Sequence, residues 1–400
     1  MKLVQKLPLL LAAALSPLYG ESEHAAPAIH AEQVDSQPTS GTMVTVIIHE
    51  KDGQHYAYSG GQDAELDSFK VAKDGKLTPL KSYSLWNEKG PARGLVTSTI
   101  AGTDYLFVGN KFGNAIEVHR IQNDGTLERV HVEHDTDETH LGVIITLQVI
   151  HMKDQAYLFA GGLEKTPGLT SYRINNDGSL THVQSMADTE DIFTDGIIGM
   201  GIHKIEGKTY LFTGGFQDSG VSGFQVFDDG HFLNTSNVGD DLTRYLNGTY
   251  PLSTVQLGDN HYVVAGHRHH SYYKRSQFIK RKGFVHHGDG VSVFKVDQYG
   301  KLIPHSVLTY NPDVKIKGQT RIEIQKIDET QAVVAIATRD EQTIQICTLN
   351  AEGVLTPSTT YESNFPVYNG MTSTQIDGNI FLFAGSRDHS FLQSIQLEME

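Results

Sequence analysis

Four hundred residues, 38% hydrophobic and 20% charged, carry enough apolar side chain for a packed core and exclude wholesale disorder. A formal net charge of −15 argues against nucleic-acid binding, and a single cysteine, Cys347, excludes an internal disulfide and any Cys-based zinc cluster. The 39 glycines against 12 prolines point to many turns between short strands.

In chain order, Lys2 and Lys6 precede an apolar run at 7–15, which leads to Ser16, Pro17 and Gly20. A charged start, a short apolar stretch and a small-residue exit form the pattern of a secretory signal, so residues 1–20 are expected to direct export, to the periplasm or the medium. Residues 21–42, rich in Ala, Glu, Ser and Pro, are expected to be a flexible lead-in. No later apolar run is long enough to span a bilayer, so no membrane insertion is expected.

From Tyr56 onward one pattern recurs seven times, an aromatic or small apolar residue followed by an apolar run ending on small residues. The copies start at Tyr56, Tyr105, Tyr157, Tyr210, Tyr262, Ala332 and Phe381, at spacings of 49, 52, 53, 52, 70 and 49 residues. A strand-like run flanks each copy on either side. In six copies a turn closing on Gly75, Gly125, Gly178, Gly230, Gly300 or Gly353 leads to a fourth run. A four-strand unit at this period predicts an all-β fold over 43–400: a seven-bladed β-propeller with four antiparallel strands per blade. The last copy lacks a fourth strand, and residues just before Val44 are expected to supply it and close the ring.

With strands lettered A to D from the axis outward, the Gly turns join C to D on one face. The D–A and B–C connections lie on the other face, around the channel mouth. There the D–A segments carry Arg93, His140, Asp195, Arg244, Tyr245, Asn247, Lys315, Lys317, Tyr368 and Asn369, with Tyr250 and Arg321 near the starts of their A strands. The 70-residue spacing places an insertion, 267–289 (HRHHSYYKRSQFIKRKGFVHHGD), in one B–C connection. Arg268, Lys274, Arg275, Lys280, Arg281 and Lys282 face a single acid, Asp289. So dense a cationic segment in an acidic chain predicts an anionic ligand, although a surface hairpin of drifted composition would look the same. Its histidines allow a structural Zn2+ or Ca2+ site, and exposed histidines in polar contacts are the competing account.

No nucleophile elbow, phosphate-binding loop or dinucleotide fingerprint is present, so no organic cofactor is expected. His, Tyr and Arg at a channel mouth suit β-elimination on a uronate polysaccharide. Arg neutralises the carboxylate and acidifies its α-proton, and His or Tyr moves protons. A glycoside hydrolase would present two opposed carboxylates instead.

The seven-unit repeat, the signal segment and this His/Tyr/Arg set resemble the propeller-fold ulvan lyases, secreted enzymes that cleave a sulfated, uronate-containing algal polysaccharide. The specific part of the resemblance is 250–289 together with His140. It implies His140 and Tyr250 as base and acid in an undecided order, with Tyr245 a rival to Tyr250. It also implies Arg268 as the residue that neutralises the uronate, Arg321 as a further substrate ligand, and zinc near His270, His286 and His287. Arg93, Tyr245, Asn247, Lys274 and Arg275 complete the expected substrate-binding set. Gly161 and Gly162 stand where the family pattern has a second His, and the expected zinc-site cysteines are missing.

The units NAIEVHRIQNDGTL and GVSVFKVDQYGKL also resemble lactonase-type seven-bladed propellers, including 6-phosphogluconolactonase-like proteins. That resemblance implies lactone hydrolysis as the alternative activity. A noncatalytic propeller that binds a polyanion or a protein is the third expectation.

Overall fold

The computed structural model describes residues 28–163, 166–268 and 288–400. Its 28 strands form seven four-stranded antiparallel sheets. This is the seven-bladed propeller that the repeat predicts. The innermost strands, Met43–Lys51, Ala92–Ile100, Thr146–His151, Ile197–Ile205, Thr249–Leu257, Gln319–Lys326 and Val367–Ile376, pack in succession around one axis and define blades 1 to 7. No helix among the described residues is long and apolar enough to cross a membrane.

Burial explains why the recurring segment is legible. Each second strand lies between two neighbouring blades and is covered on both sides. Ala156–Gly162 is buried at every position, and such strands read as unbroken apolar runs. Outer strands face solvent on one side. In Leu127–His134, Leu127 is buried while Glu128 and Arg129 are exposed.

The aromatic at the head of each segment and the glycine of the turn are two halves of one inter-blade contact. Gly125, Gly178, Gly230, Gly300 and Gly353 all have φ between +75° and +87°, which glycine adopts without strain. A Cβ on any of them would strike the ring of Tyr56, Tyr105, Tyr157, Tyr210 or Tyr262, respectively, in the preceding blade. The hydroxyls of those five tyrosines donate to carbonyls of the same turns, for example Tyr157 to Asp228 at 3.0 Å and Tyr262 to Ala351 at 2.8 Å. Phe381 packs on Gly75 in the same way and carries the contact from blade 7 to blade 1. Ala332 in blade 6 breaks the aromatic pattern, and blade 7 has no glycine turn for it to meet.

The ring closes through Ile29–Pro38, which pairs antiparallel with Phe391–Met399, Ile29 opposite Met399 and Pro38 opposite Phe391. The expected flexible lead-in at 21–42 is therefore corrected. Its residues 29–38 are the missing fourth strand, held because they satisfy the otherwise open edge of blade 7. Neighbouring blades fix it further. Ile29 N donates to Ser358 Oγ at 3.2 Å in blade 6, and Leu77 N of blade 1 donates to Asp35 Oδ2 at 2.8 Å. The expected signal segment lies outside the described residues.

Candidate functional site

Backbone hydrogen bonds define the channel mouth. In blades 1, 2, 4, 5 and 6 the backbone N–H of the first residue after the second strand donates to the residue that leads into the innermost strand: Gln62 to Thr42, Lys111 to Pro91, Phe216 to Gly196, Arg268 to Gly248 and Arg339 to Gly318, at 2.8–3.1 Å. Two rings of repeat-equivalent positions follow. The second residue of the innermost strand is Arg93, Ile198, Tyr250, Thr320 or Tyr368 in blades 2, 4, 5, 6 and 7. The first residue after the second strand is Gln62, Lys111, Leu163, Phe216, Arg268, Arg339 or Arg387 in blades 1 to 7.

Blades 2, 5, 6 and 7 thus bring cations to the mouth, and blades 3 and 4 bring apolar side chains. Leu163, Ile198 and Phe216 join Val143, Ile145 and Tyr250 in one buried cluster. Tyr250 stands where the two halves meet. The Phe216 ring meets it edge-on at 5.4 Å, and the Arg268 guanidinium lies over its face at 5.1 Å from the centroid. Tyr250 is 3% exposed. Burial raises its phenol pKa, but the nearby positive charges of Arg93 and Arg268 outweigh burial and hold it below the ordinary tyrosine value.

The charges around this phenol are unbalanced. No carboxylate pairs with Arg93, Arg268 or Arg387 among the described residues. The Nε groups of Arg93 and Arg268 have no hydrogen-bond partner there. Arg268 also lies over Tyr368 at 5.2 Å, and Arg387 over the same ring at 5.3 Å. Arg339 is paired with its neighbour Asp340, which raises its pKa, and it lies near enough to Tyr368 and Tyr250 to interact with their charge.

The remaining expected residues fall in different places. Arg321 lines an axial cavity of about 170 Å³ with Thr45, Gln148 and Met200. Its Nε donates to Glu323 at 2.6 Å, so its charge is matched inside the channel. His140 and Tyr245 occupy equivalent loop positions at the entries to the third strands of their blades. His140 N donates to Thr170 Oγ1 and Tyr245 N to Ser292 Oγ, both at 3.0 Å. Their rings rest over Gly168 and Gly290, which begin the third strands of blades 3 and 5, and Phe193 packs on Gly220 likewise in blade 4. Burial lowers the His140 pKa against the pull of Asp135, with His182 adding to the drop. Asn247 is buried, its Oδ1 without a partner among the described residues. Arg93 is on a strand rather than in the loop where sequence placed it.

Lys274 and Arg275, and the expected metal ligands His270, His286 and His287, lie outside the described residues. The stem of their insertion is ordered. Gln319 accepts from His267 N at 3.0 Å and donates to Gly290 O at 2.9 Å. Among the described residues the group with metal-like spacing is Asp188, Asp195 and Asp218, a set of oxygen donors that suits a hard cation such as Ca2+ better than zinc. Two of these carboxylates already hold loops. Asp188 accepts from Thr194 N and Oγ1, and Asp218 from Asp195 N.

Sequence reasoning singled out Arg268 and placed Tyr368 at the channel mouth, but missed Arg339 and Arg387 beside them. Aligning the seven repeats on the residue after each second strand would have found the two arginines.

Comparison with known proteins shows the fold alone. No family model and no curated protein matches the sequence. The crystal structure of a protein from Lactobacillus plantarum is similar with a TM-score of 0.54 and 13% identity, covering 84% of this chain and 88% of that one. Raptor from Chaetomium thermophilum is similar with a TM-score of 0.60 and 10% identity, covering 94% of this chain. The match spans only 29% of Raptor.

Proposed function

We propose that the protein is an exported polysaccharide lyase that cleaves a uronate-containing polymer at the channel mouth, with ulvan the first candidate. The observation that carries this reading is a buried Tyr250 phenol close to two guanidiniums that lack carboxylate partners among the described residues. Arg93 and Arg268 would hold the uronate carboxylate and disperse the charge that develops on it once its α-proton leaves. The Tyr250 phenolate oxygen would take that proton. The C–H electron pair becomes the new C=C bond, the adjacent C–O glycosidic bond breaks, and the leaving oxygen accepts a proton, returned by Tyr250 or supplied by water. His140, whose ring rests on Gly168, would serve substrate contacts along blade 3 rather than the proton transfer itself.

Incubation with ulvan, alginate, pectate and heparin, followed by ultraviolet absorbance of the unsaturated product, tests this. Activity on at least one polymer is expected, and Tyr250→Phe should lower kcat by about a hundredfold or more. No unsaturated product from any polyanion removes the lyase reading. Acid release from a sugar lactone would favour lactone hydrolysis, and tight binding without turnover would favour a binding propeller.

A further inference from the structure

Three positively charged side chains, Arg268, Arg339 and Arg387, follow the second strands of three consecutive blades. Elimination at Tyr250 uses only the first. Tyr368, from the innermost strand of blade 7, joins the first and third of them, because Arg268 and Arg387 both lie over its ring. Stacking occupies the flat face of a guanidinium and leaves its N–H edge able to donate to an oxyanion. Arg387 has no carboxylate partner among the described residues, while the charge of Arg339 is half-spent on Asp340. Keeping such like charges together costs free energy that a bound anion would recover. A carboxylate offers about four lone-pair sites, which two guanidinium forks fill, so an anion held by Arg93 and Arg268 leaves Arg387 unsatisfied.

We infer that Arg387, which lies over Tyr368, and the nearby Arg339 form a second oxyanion subsite beside the Tyr250 site. The ligand then carries two anionic groups, the second a carboxylate or an ester oxyanion on the neighbouring sugar unit. This rests on the reading of the mouth as a carbohydrate site but not on elimination as its chemistry. The subsite selects for dianions. Its ligand crosses from blade 5 toward blade 7, while Phe216 and Leu163 present no charge on the opposite side.

Calorimetric binding of digalacturonate, of a singly charged methyl galacturonide and of a sulfated disaccharide with one uronate tests it. Each is titrated into the wild-type protein and into Arg387→Ala, Arg339→Ala and Arg268→Ala. Wild-type protein should prefer both dianions, and Arg387→Ala should cut the dianion-to-monoanion affinity ratio about tenfold, the scale of one charge-assisted hydrogen bond. Arg268→Ala should weaken all three ligands. The two dianions separate a carboxylate from an ester as the preferred second group. Equal wild-type affinity for monoanion and dianions overturns the subsite, as does an unchanged ratio in Arg387→Ala or no binding of either dianion. Lack of an unsaturated product overturns only the lyase reading.

Discussion

At Tyr250 two opposing effects meet. Removing a phenol from water makes its ionised form costly, and two nearby guanidiniums make that form favourable. The guanidiniums win, and the phenol pKa falls. The sign fixes the pH behaviour. If the phenolate is the base, the rate rises with pH through the Tyr250 pKa, and that rise lies below the ordinary tyrosine range. Removing one guanidinium with Arg93→Ala should move the ascending limb of the kcat/KM profile to higher pH. A limb that stays in place would show that another group is the base. Arg93 shows how a site residue comes from the repeat rather than from a motif. It stands in the strand position that Tyr250 holds in blade 5 and Tyr368 in blade 7, so the fold itself brings one arginine and two tyrosines to one rim.

At the scale of elements, stability sits in the joints between blades, and one joint is sensitive to acid. His203, on the innermost strand of blade 4, hydrogen-bonds through Nε2 to Tyr262 O at 2.9 Å, and its Nδ1 lies 3.3 Å from His261 Nδ1 in blade 5. Burial lowers the His203 pKa from 6.5 to about 4, against the pull of the Tyr262 carbonyl, and His261 lowers it further. The folded state therefore binds this proton more weakly than the unfolded chain does. The joint's contribution is complete above pH 6.5 and is lost as pH falls toward about 4. The difference is worth roughly 3 kcal/mol at its limit. Urea unfolding at pH 7 and near pH 4 should show this loss. His203→Gln, which keeps a donor for the Tyr262 carbonyl but does not titrate, should show much less of it. An equal loss in both proteins would assign the acid sensitivity elsewhere. The same scale explains what sequence could show. Second strands buried on both sides write themselves as apolar runs, and the tyrosine–glycine latch writes both partners at a fixed spacing, so blade number and order are legible. The orientation of loop side chains is not. His140 reads as a channel residue, yet its ring rests on Gly168, and the choice is made by a close packing contact that leaves no periodic signal.

For the whole molecule, closure depends on ten residues far from the rest of their blade. Ile29–Pro38 completes blade 7, contacts blade 6 through Ile29 and Ser358, and receives the Leu77 amide of blade 1 on Asp35. It thus joins three blades across the point where the chain ends would otherwise part. The composition of this segment suggests a linker, because only Ile29 is buried while Glu32, Gln33 and the alternate outer positions face solvent. An outer strand needs only a thin apolar edge, and backbone pairing supplies the remainder. Burial of one Ile together with loss of the strand ladder is worth roughly 3 kcal/mol or more. A protein lacking residues 1–38 should therefore unfold at lower urea concentration than one lacking 1–27, and its exposed Phe391–Met399 edge should promote aggregation. Matching midpoints for the two truncations would mean that the sevenfold ring is held by the tyrosine–glycine latches and the innermost strands alone, with the N-terminal strand a cover rather than a clasp.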